Sequence, residues 1–166
     1  MKKYLITGGC GFIGANFIHF LLENKLSSQI VNLDKMTYAG NKDNLLSIEH
    51  DDNYHFIQGD ICNQSTVRNI LDKYNPDILV HFAAESHVDR SIDGPVEFVN
   101  TNIVGTMNLL NESSQWLKRL VDKKKNSFRF IHISTDEVYG SLGMEGKFLE
   151  STPYNPSSPY SASKAG

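Results

Sequence analysis

Ile6-Thr7-Gly8-Gly9-Cys10-Gly11-Phe12-Ile13-Gly14 is the stretch on which the reading of the whole chain turns. A short apolar run, residues 4–7, leads into it, and Phe17, Ile18, Leu21 and Leu22 follow at a spacing that puts them on one helix face. Strand, glycine turn and helix in that order are the unit that binds a dinucleotide, with Gly8, Gly11 and Gly14 spaced G-x-x-G-x-x-G. The chemistry needs a tight turn, a backbone that approaches a pyrophosphate closely, and close contact between helix and sheet. The helix N-terminus adds N–H groups and positive partial charge. Asp34 ends the second expected strand 20 residues beyond Gly14, where a carboxylate accepts hydrogen bonds from a ribose. The same carboxylate repels a 2'-phosphate, so NAD rather than NADP is expected.

Outward from this turn, short β-rich runs alternate with longer stretches at helical spacing, the mark of a parallel sheet covered by helices. Strands are expected at 4–7, 29–33, 54–58, 78–82 and 128–134. Val67, Ile70, Leu71 and Tyr74 share a face after the third. After the fourth, Pro95 opens a long helical segment ending near Leu120, in which Val99, Ile103, Met107, Leu110 and Leu117 make one stripe. Residues 150–159 read as an ordered loop leading to a last helix, with Pro159 in its first position and Ser157 or Ser158 as cap. The expected architecture is a doubly wound α/β Rossmann-type sheet with helices on both faces, one domain over residues 1–166.

Composition agrees with a folded domain and excludes several classes of partner. The chain has 166 residues, 40% apolar and 21% charged, with net charge -3, enough to bury roughly 70% of its unfolded surface without disulfides or metal. Cys10 and Cys62 form no C-x-x-C pair, which suits reduced thiols and a cytoplasmic location. The 16 basic and 19 acidic residues are interspersed, arguing against nucleic acid or an anionic membrane as main partner. Lys123, Lys124 and Lys125 read as a solvated helix end or loop. No run is long and apolar enough for a signal peptide or a membrane span. Among six histidines, His81 and His132 fall within strands as packing residues, and none has ligand spacing with a third donor, so no metal is expected.

Ligands of open α/β sheets bind outside the carboxyl ends of the strands. Asp60, after the third strand, is placed to accept a hydrogen bond from an adenine amino group. Phe82-Ala83-Ala84-Glu85-Ser86, after the fourth, lets a cofactor pass close to the backbone. The fifth strand ends in Ser134-Thr135-Asp136-Glu137-Val138-Tyr139-Gly140, and Tyr160 and Lys164 follow as Y-x-x-x-K. Residues four apart share a helix face, so the Lys164 ammonium is expected beside the Tyr160 phenol, favouring phenolate and readying Tyr160 as a base.

With these motifs the chain resembles the extended short-chain dehydrogenase/reductase superfamily, and within it the nucleotide-sugar 4,6-dehydratases of the dTDP-glucose type. The glycine turn and Y-x-x-x-K belong to the whole superfamily. Narrower are Asp34-Lys35-Met36-Thr37-Tyr38-Ala39-Gly40, Ala83-Ala84-Glu85-Ser86-His87-Val88-Asp89-Arg90-Ser91, Thr101-Asn102-Ile103-Val104-Gly105-Thr106 and the Thr135-Asp136-Glu137 triplet. Sugar epimerases of similar fold carry Ser or Thr followed by small residues where Asp136 and Glu137 stand.

The resemblance implies an internal NAD redox cycle on a nucleoside-diphosphate glucose, yielding a 4-keto-6-deoxy sugar and water, on a route to deoxysugars such as rhamnose. Tyr160, paired with Lys164, takes the proton from the hydroxyl at carbon 4; Glu137 removes the proton at carbon 5; Asp136, protonated, donates to the departing hydroxyl at carbon 6. One carboxyl must be ionised and its neighbour neutral, a division that close carboxyl groups in a partly desolvated site tend to adopt. Thr135 holds the carbon 4 hydroxyl and Ser86 touches the sugar or its phosphates. Phe12, Ile13, Lys35, Met36, Thr37, Ile61 and Thr101 join the NAD site. Full-length relatives pair as homodimers through helices that include the one beginning at Tyr160. The alternatives are action on UDP-glucose, a nucleotide-sugar epimerase or decarboxylase, or a non-catalytic NAD sensor. Measured against such a family member, the chain reads as roughly its first half, with the substrate-binding region absent. The expectation is NAD-site geometry without turnover.

Overall fold

The computed structural model describes all 166 residues. Five strands, β1 (Lys2–Thr7), β2 (Ser27–Asp34), β3 (Tyr54–Gln58), β4 (Ile78–His81) and β5 (Arg129–His132), form one sheet in the spatial order β3-β2-β1-β4-β5. Every pairing is parallel. From β1 the chain winds first toward β3 and then crosses to β4, so the strand order reverses between β1 and β4. At such a switch point the connections leave in opposite directions and open a crevice at the carboxyl ends. The helices are α1 (Phe12–Glu23), α2 (Gln64–Tyr74), α3 (Val88–Asp93), α4 (Pro95–Phe98), α5 (Thr106–Lys118), α6 (Asp122–Ser127) and α7 (Pro159–Ala165). A π-helical stretch, Val99–Gly105, joins α4 to α5, and 3-10 turns run over Lys42–Ile48 and Asp136–Tyr139.

Strands covered on both sides read as continuous apolar runs rather than alternating ones, and the two faces carry separate cores. Leu5, Val31, Leu33 and Leu79 pack with Val67, Ile70 and Leu71 of α2 and with Leu109 and Trp116 of α5. On the other face Ile6 and Ile30 meet Ala15, Ile18 and Leu21 of α1. Each such side chain contributes about 1.5–3 kcal/mol by leaving water. Asn63 caps α2 by accepting from the Thr66 N–H at 3.0 Å. Between the two candidate caps of α7, Ser158 takes the position: it accepts from the Ser161 N–H at 3.0 Å and closes a capping box, with Pro159 in the first turn.

Three expectations need correction. β4 and β5 stop short of residues 82 and 134: past His81 and His132 one further bond each, Phe82 N–H to the Thr7 carbonyl at 3.0 Å and Ile133 N–H to the His81 carbonyl at 3.1 Å, ends the ladder. The stripe assigned to the helix after Pro95 is out of phase: Val99, Met107 and Leu110 are exposed, while Asn102, Asn108, Leu109, Glu112, Ser113 and Trp116 are buried. Apolarity misleads here because the inward stripe holds polar residues, among them two that bond to neighbouring segments. Asn108 Nδ2 donates to the Ile61 carbonyl at 2.6 Å, and Glu112 takes Arg68 of α2 in a bidentate ion pair. Finally, the lysine cluster is a helix, α6, in which Lys124 pairs with Asp77 and donates to the Asn75 carbonyl at 3.1 Å. No helix is long and apolar enough to cross a membrane.

Candidate active site

Beyond the carboxyl end of β1, Gly8 has φ +74°, and a Cβ there would lie 2.5 Å from the Ala83 nitrogen. The turn therefore passes against the strand end that carries Phe82-Ala83-Ala84 at a distance only glycine permits. At Gly14 a Cβ would lie 2.3 Å from the Gly8 carbonyl oxygen, so the helix starts hard against the turn. Gly11 is the N-cap of α1, whose first turn has no acidic side chain to compete for its free N–H groups. This is the cradle a pyrophosphate requires.

Asp34 fixes that cradle from the side. Its carboxylate accepts from the Cys10 N–H at 2.9 Å and from the Met36 N–H at 2.8 Å, tying the turn to the end of β2. An ionised carboxylate has about four acceptor sites, so capacity remains for a ribose. Asp60 and Lys35 form an ion pair of 2.8 Å, and the Cys62 N–H donates to Asp60 at 2.8 Å. Burial works against the Asp60 anion, yet Lys35 and the Cys62 N–H outweigh it and hold the carboxyl below its ordinary value.

These groups open on one cavity of about 390 Å³. Its wall contains Gly8, Gly11, Phe12, Ile13 and Gly14 from the turn, and Asp34, Lys35, Thr37, Asp60 and Ile61 from the ends of β2 and β3. Phe82, Ala83, Ala84, Glu85, Ser86, Thr101, Tyr160 and Lys164 complete its far side. The wall also includes Leu33, Ala39, Gly40, Gly59, Ile133 and Ser134, which sequence reasoning does not assign. Gly59 and Ser134 stand next to residues that it does assign, the one signal available for them. Met36 is not in the wall. It sits at φ +61° with its N–H on Asp34, and its side chain packs on the core beneath α1.

At the other end of the cavity α7 brings in Tyr160 and Lys164. Lys164 Nζ donates to the Ile133 carbonyl at 2.6 Å, and burial lowers the ammonium to about 8. The expected pairing of ammonium and phenol is therefore corrected: burial raises Tyr160 above its ordinary value, the neighbouring Thr135 hydroxyl lowers it, and Glu137 and Asp136 raise it further. The lysine meets a strand end, and the charges that act on the phenol are those of the two carboxyl groups. Thr135 caps the 3-10 turn by accepting from the Glu137 N–H at 3.3 Å. Thr135, Asp136 and Glu137 lie beyond the cavity wall, with Asp136 exposed.

Beneath the cavity runs a buried polar network to which sequence reasoning gives no role. Asn102 accepts from the Glu85 N–H at 2.9 Å and donates to the Glu85 carbonyl at 2.9 Å and to Ser163 Oγ at 2.8 Å. It thereby binds the loop after β4 to α7. His81 lies between Thr7 and Thr106, its Nδ1 2.7 Å from the first hydroxyl and its Nε2 2.9 Å from the second. Thr106 donates onward to the Asn102 carbonyl, so the neutral tautomer with the proton on Nε2 satisfies the chain. Burial, with His132 and Lys164 nearby, drops His81 to about 3. No group of three or more His, Cys, Asp or Glu side chains is arranged to hold a metal ion.

This geometry has close counterparts among known proteins. A dTDP-glucose 4,6-dehydratase of Xanthomonas campestris pv. campestris (strain B100) is 51% identical over 165 residues, covering 99% of this chain and 46% of the relative. A crystal structure of a dTDP-glucose 4,6-dehydratase from Streptomyces venezuelae with NAD bound superposes with TM-score 0.88 at 42% identity, over 99% of this chain and 48% of that one. A UDP-glucose 4-epimerase of Thermus thermophilus in complex with NAD follows at TM-score 0.81 and 28% identity, over 98% and 47%. The chain thus spans about half the length of the curated relatives it matches. The family model described as GDP-mannose 4,6 dehydratase matches residues 5–166, and the chain belongs to that family of extended short-chain dehydrogenase/reductases.

Proposed function

We propose that the chain is the NAD-binding part, residues 1–166, of a nucleotide-sugar 4,6-dehydratase acting on dTDP-glucose. The observation that carries this reading is that α7, which bears Tyr160, packs against the 3-10 turn Asp136–Tyr139, which sets Asp136 and Glu137 near the Tyr160 phenol. An oxidation needs only a base such as Tyr160; elimination of water needs a further base and an acid, and the 3-10 turn after β5 presents two carboxyl side chains beside that phenol. Held in this cavity, NAD would supply a hydride acceptor for carbon 4 and a hydride donor for carbon 6. Tyr160 takes the carbon 4 hydroxyl proton, while Thr135 holds that hydroxyl. The ketone acidifies the carbon 5 proton, which passes to Glu137 while Asp136 gives its proton to the leaving hydroxyl at carbon 6; as hydride reaches carbon 6, Glu137 returns the proton to carbon 5. Ser86, in the cavity wall, contacts the sugar or its phosphates. The residues of the cavity fit the cofactor: a glycine cradle at a helix N-terminus, a carboxylate at the end of β2, and small side chains at the end of β4.

The test supplies dTDP-glucose to the protein carrying this segment and follows the alkaline absorbance of the 4-keto product. Its formation supports the reading; NAD binding with no keto product supports a sensor instead, and a 4-epimer marks an epimerase. UDP-glucose run in parallel reads the nucleotide preference. Residues 1–166 alone, which span about half the length of the relatives, should bind NAD without turnover. Reduced Cys10 and Cys62 support a cytoplasmic location. The exposed stripe of Val104, Met107 and Leu110 supports a homodimer, with light scattering of a Met107→Lys variant as the check.

A further inference from the structure

We propose that Tyr38 and Arg90 form a latch that retains the bound dinucleotide, an assignment that rests on the NAD reading above. The Arg90 guanidinium carbon lies 3.8 Å from the centroid of the Tyr38 ring, a close cation–π geometry. Neither side chain belongs to the cavity wall, and the two come from different connections. Tyr38 sits in the loop after β2, between the wall residues Thr37 and Ala39; Arg90 sits in α3, four residues after the wall residue Ser86.

Sheet order gives this contact its meaning. β2 and β4 are the two neighbours of β1, so their carboxyl-end loops rise on opposite sides of the glycine turn, two strand spacings or roughly 10 Å apart. A contact between them spans the line of β1. Two extended side chains meeting end to face can bridge that gap while the backbones stay apart. The loop bearing Tyr38 is anchored at its base. Asp34 accepts from the Met36 N–H, the Asn41 N–H donates to the Cys10 carbonyl at 3.0 Å, and a Cβ on Gly11 would lie 3.9 Å from the Ala39 carbonyl oxygen. Its apex is therefore the part left to be held by Arg90. A ligand laid along the glycine turn is flanked by both loops, and its departure is easiest when they part. In an internal redox cycle the same cofactor is reduced and reoxidised without leaving, so slow dissociation serves the chemistry directly.

Both side chains are solvent-exposed, Tyr38 by 52%, so replacing them leaves both cores intact. The experiment measures NADH dissociation from the 166-residue protein by chasing the bound fluorescence with excess NAD. Arg90→Met and Tyr38→Leu should each speed dissociation about 3- to 5-fold. The double variant should be no faster than either alone, because one contact is lost in all three. Arg90→Lys and Tyr38→Phe, which keep a cation over a ring, should dissociate as the unaltered chain does, and melting temperatures should not move. Binding by the unaltered chain with dissociation from both Arg90→Met and Tyr38→Leu within about 1.5-fold of it, or multiplying effects in the double variant, overturns the latch alone. No NADH binding by the unaltered chain overturns the cofactor assignment and the latch with it.

Discussion

Lys164, one helical turn after Tyr160 on α7, donates to the carbonyl of Ile133, at 2.6 Å. The Y-x-x-x-K spacing thus joins a helix to the end of β5 as well as presenting two polar groups on one face. The lysine clamps the strand end, and it does so partly buried.

That burial has a measurable signature. The unfolded chain keeps the Lys164 proton to about 10.5, while the folded chain releases it near 8. Between those values folding sheds a proton, so Lys164 contributes stability that grows as pH rises from 8 toward 10.5. Urea midpoints at pH 7.5 and 9.5, compared with those of Lys164→Met, should show this upward contribution in the unaltered chain and lack it in the variant.

On the acid side His81 acts over a different pH window. The ordinary imidazole protonates at 6.5 but His81 only near 3, so the unfolded chain gains a proton that the folded chain refuses. Stability should fall as pH drops below 6.5. His81→Gln, though less stable at neutral pH, should lose part of that slope; His132, also lowered by burial and Lys164, supplies a remainder of the same sign.

Gly14→Ala forces a Cβ to within 2.3 Å of the Gly8 carbonyl oxygen, and backbone must give way. A cost of about 1–3 kcal/mol in chemical denaturation is expected, with NADH affinity weakened by about tenfold or more because the displaced turn is the pyrophosphate cradle. Unchanged NADH titration would show that the turn does not carry the anion.

Asp34→Ala removes the acceptor of two backbone N–H groups and strands that of Cys10, a residue 1% exposed. About 1–3 kcal/mol of destabilisation is expected from the unpaired buried donor, along with loss of NAD preference over NADP. Denaturation and parallel titrations with the two cofactors separate these effects.

Glu137→Gln, made in the protein that carries this segment, should still permit oxidation at carbon 4 and then accumulate reduced cofactor, visible at its absorbance band. Elimination of water at the normal rate would remove Glu137 from the role of base.

Much of this arrangement is legible in the residues because punctuation and periodicity agree. Glycines stand where a strand must turn into a helix, and apolar runs lie where a parallel sheet is buried twice. Where one signal stands alone it misleads. Val99, Met107 and Leu110 suggest one phase for that helical segment, yet its inward side carries Asn102, Asn108 and Glu112, each hydrogen-bonded to a residue distant in sequence. Periodicity has no access to partners it cannot see. Met36 reads with its neighbours as part of the NAD site; what spacing does not show is its left-handed backbone angle and the packing of its partly buried side chain against the core. Helical spacing alone gives Lys164 to the phenol; what it meets depends on where β5 ends.

That strand end has a further bearing. β5 is the last member of the sheet, and one side of it offers a row of backbone donors and acceptors with no strand alongside, next to Ile131 at 44% exposure. In a parallel sheet every carboxyl end lies on the same border. Any strand laid parallel against β5 would therefore finish beside Asp136 and Glu137, so the growth point of the sheet and the two carboxyl groups proposed for catalysis are one place.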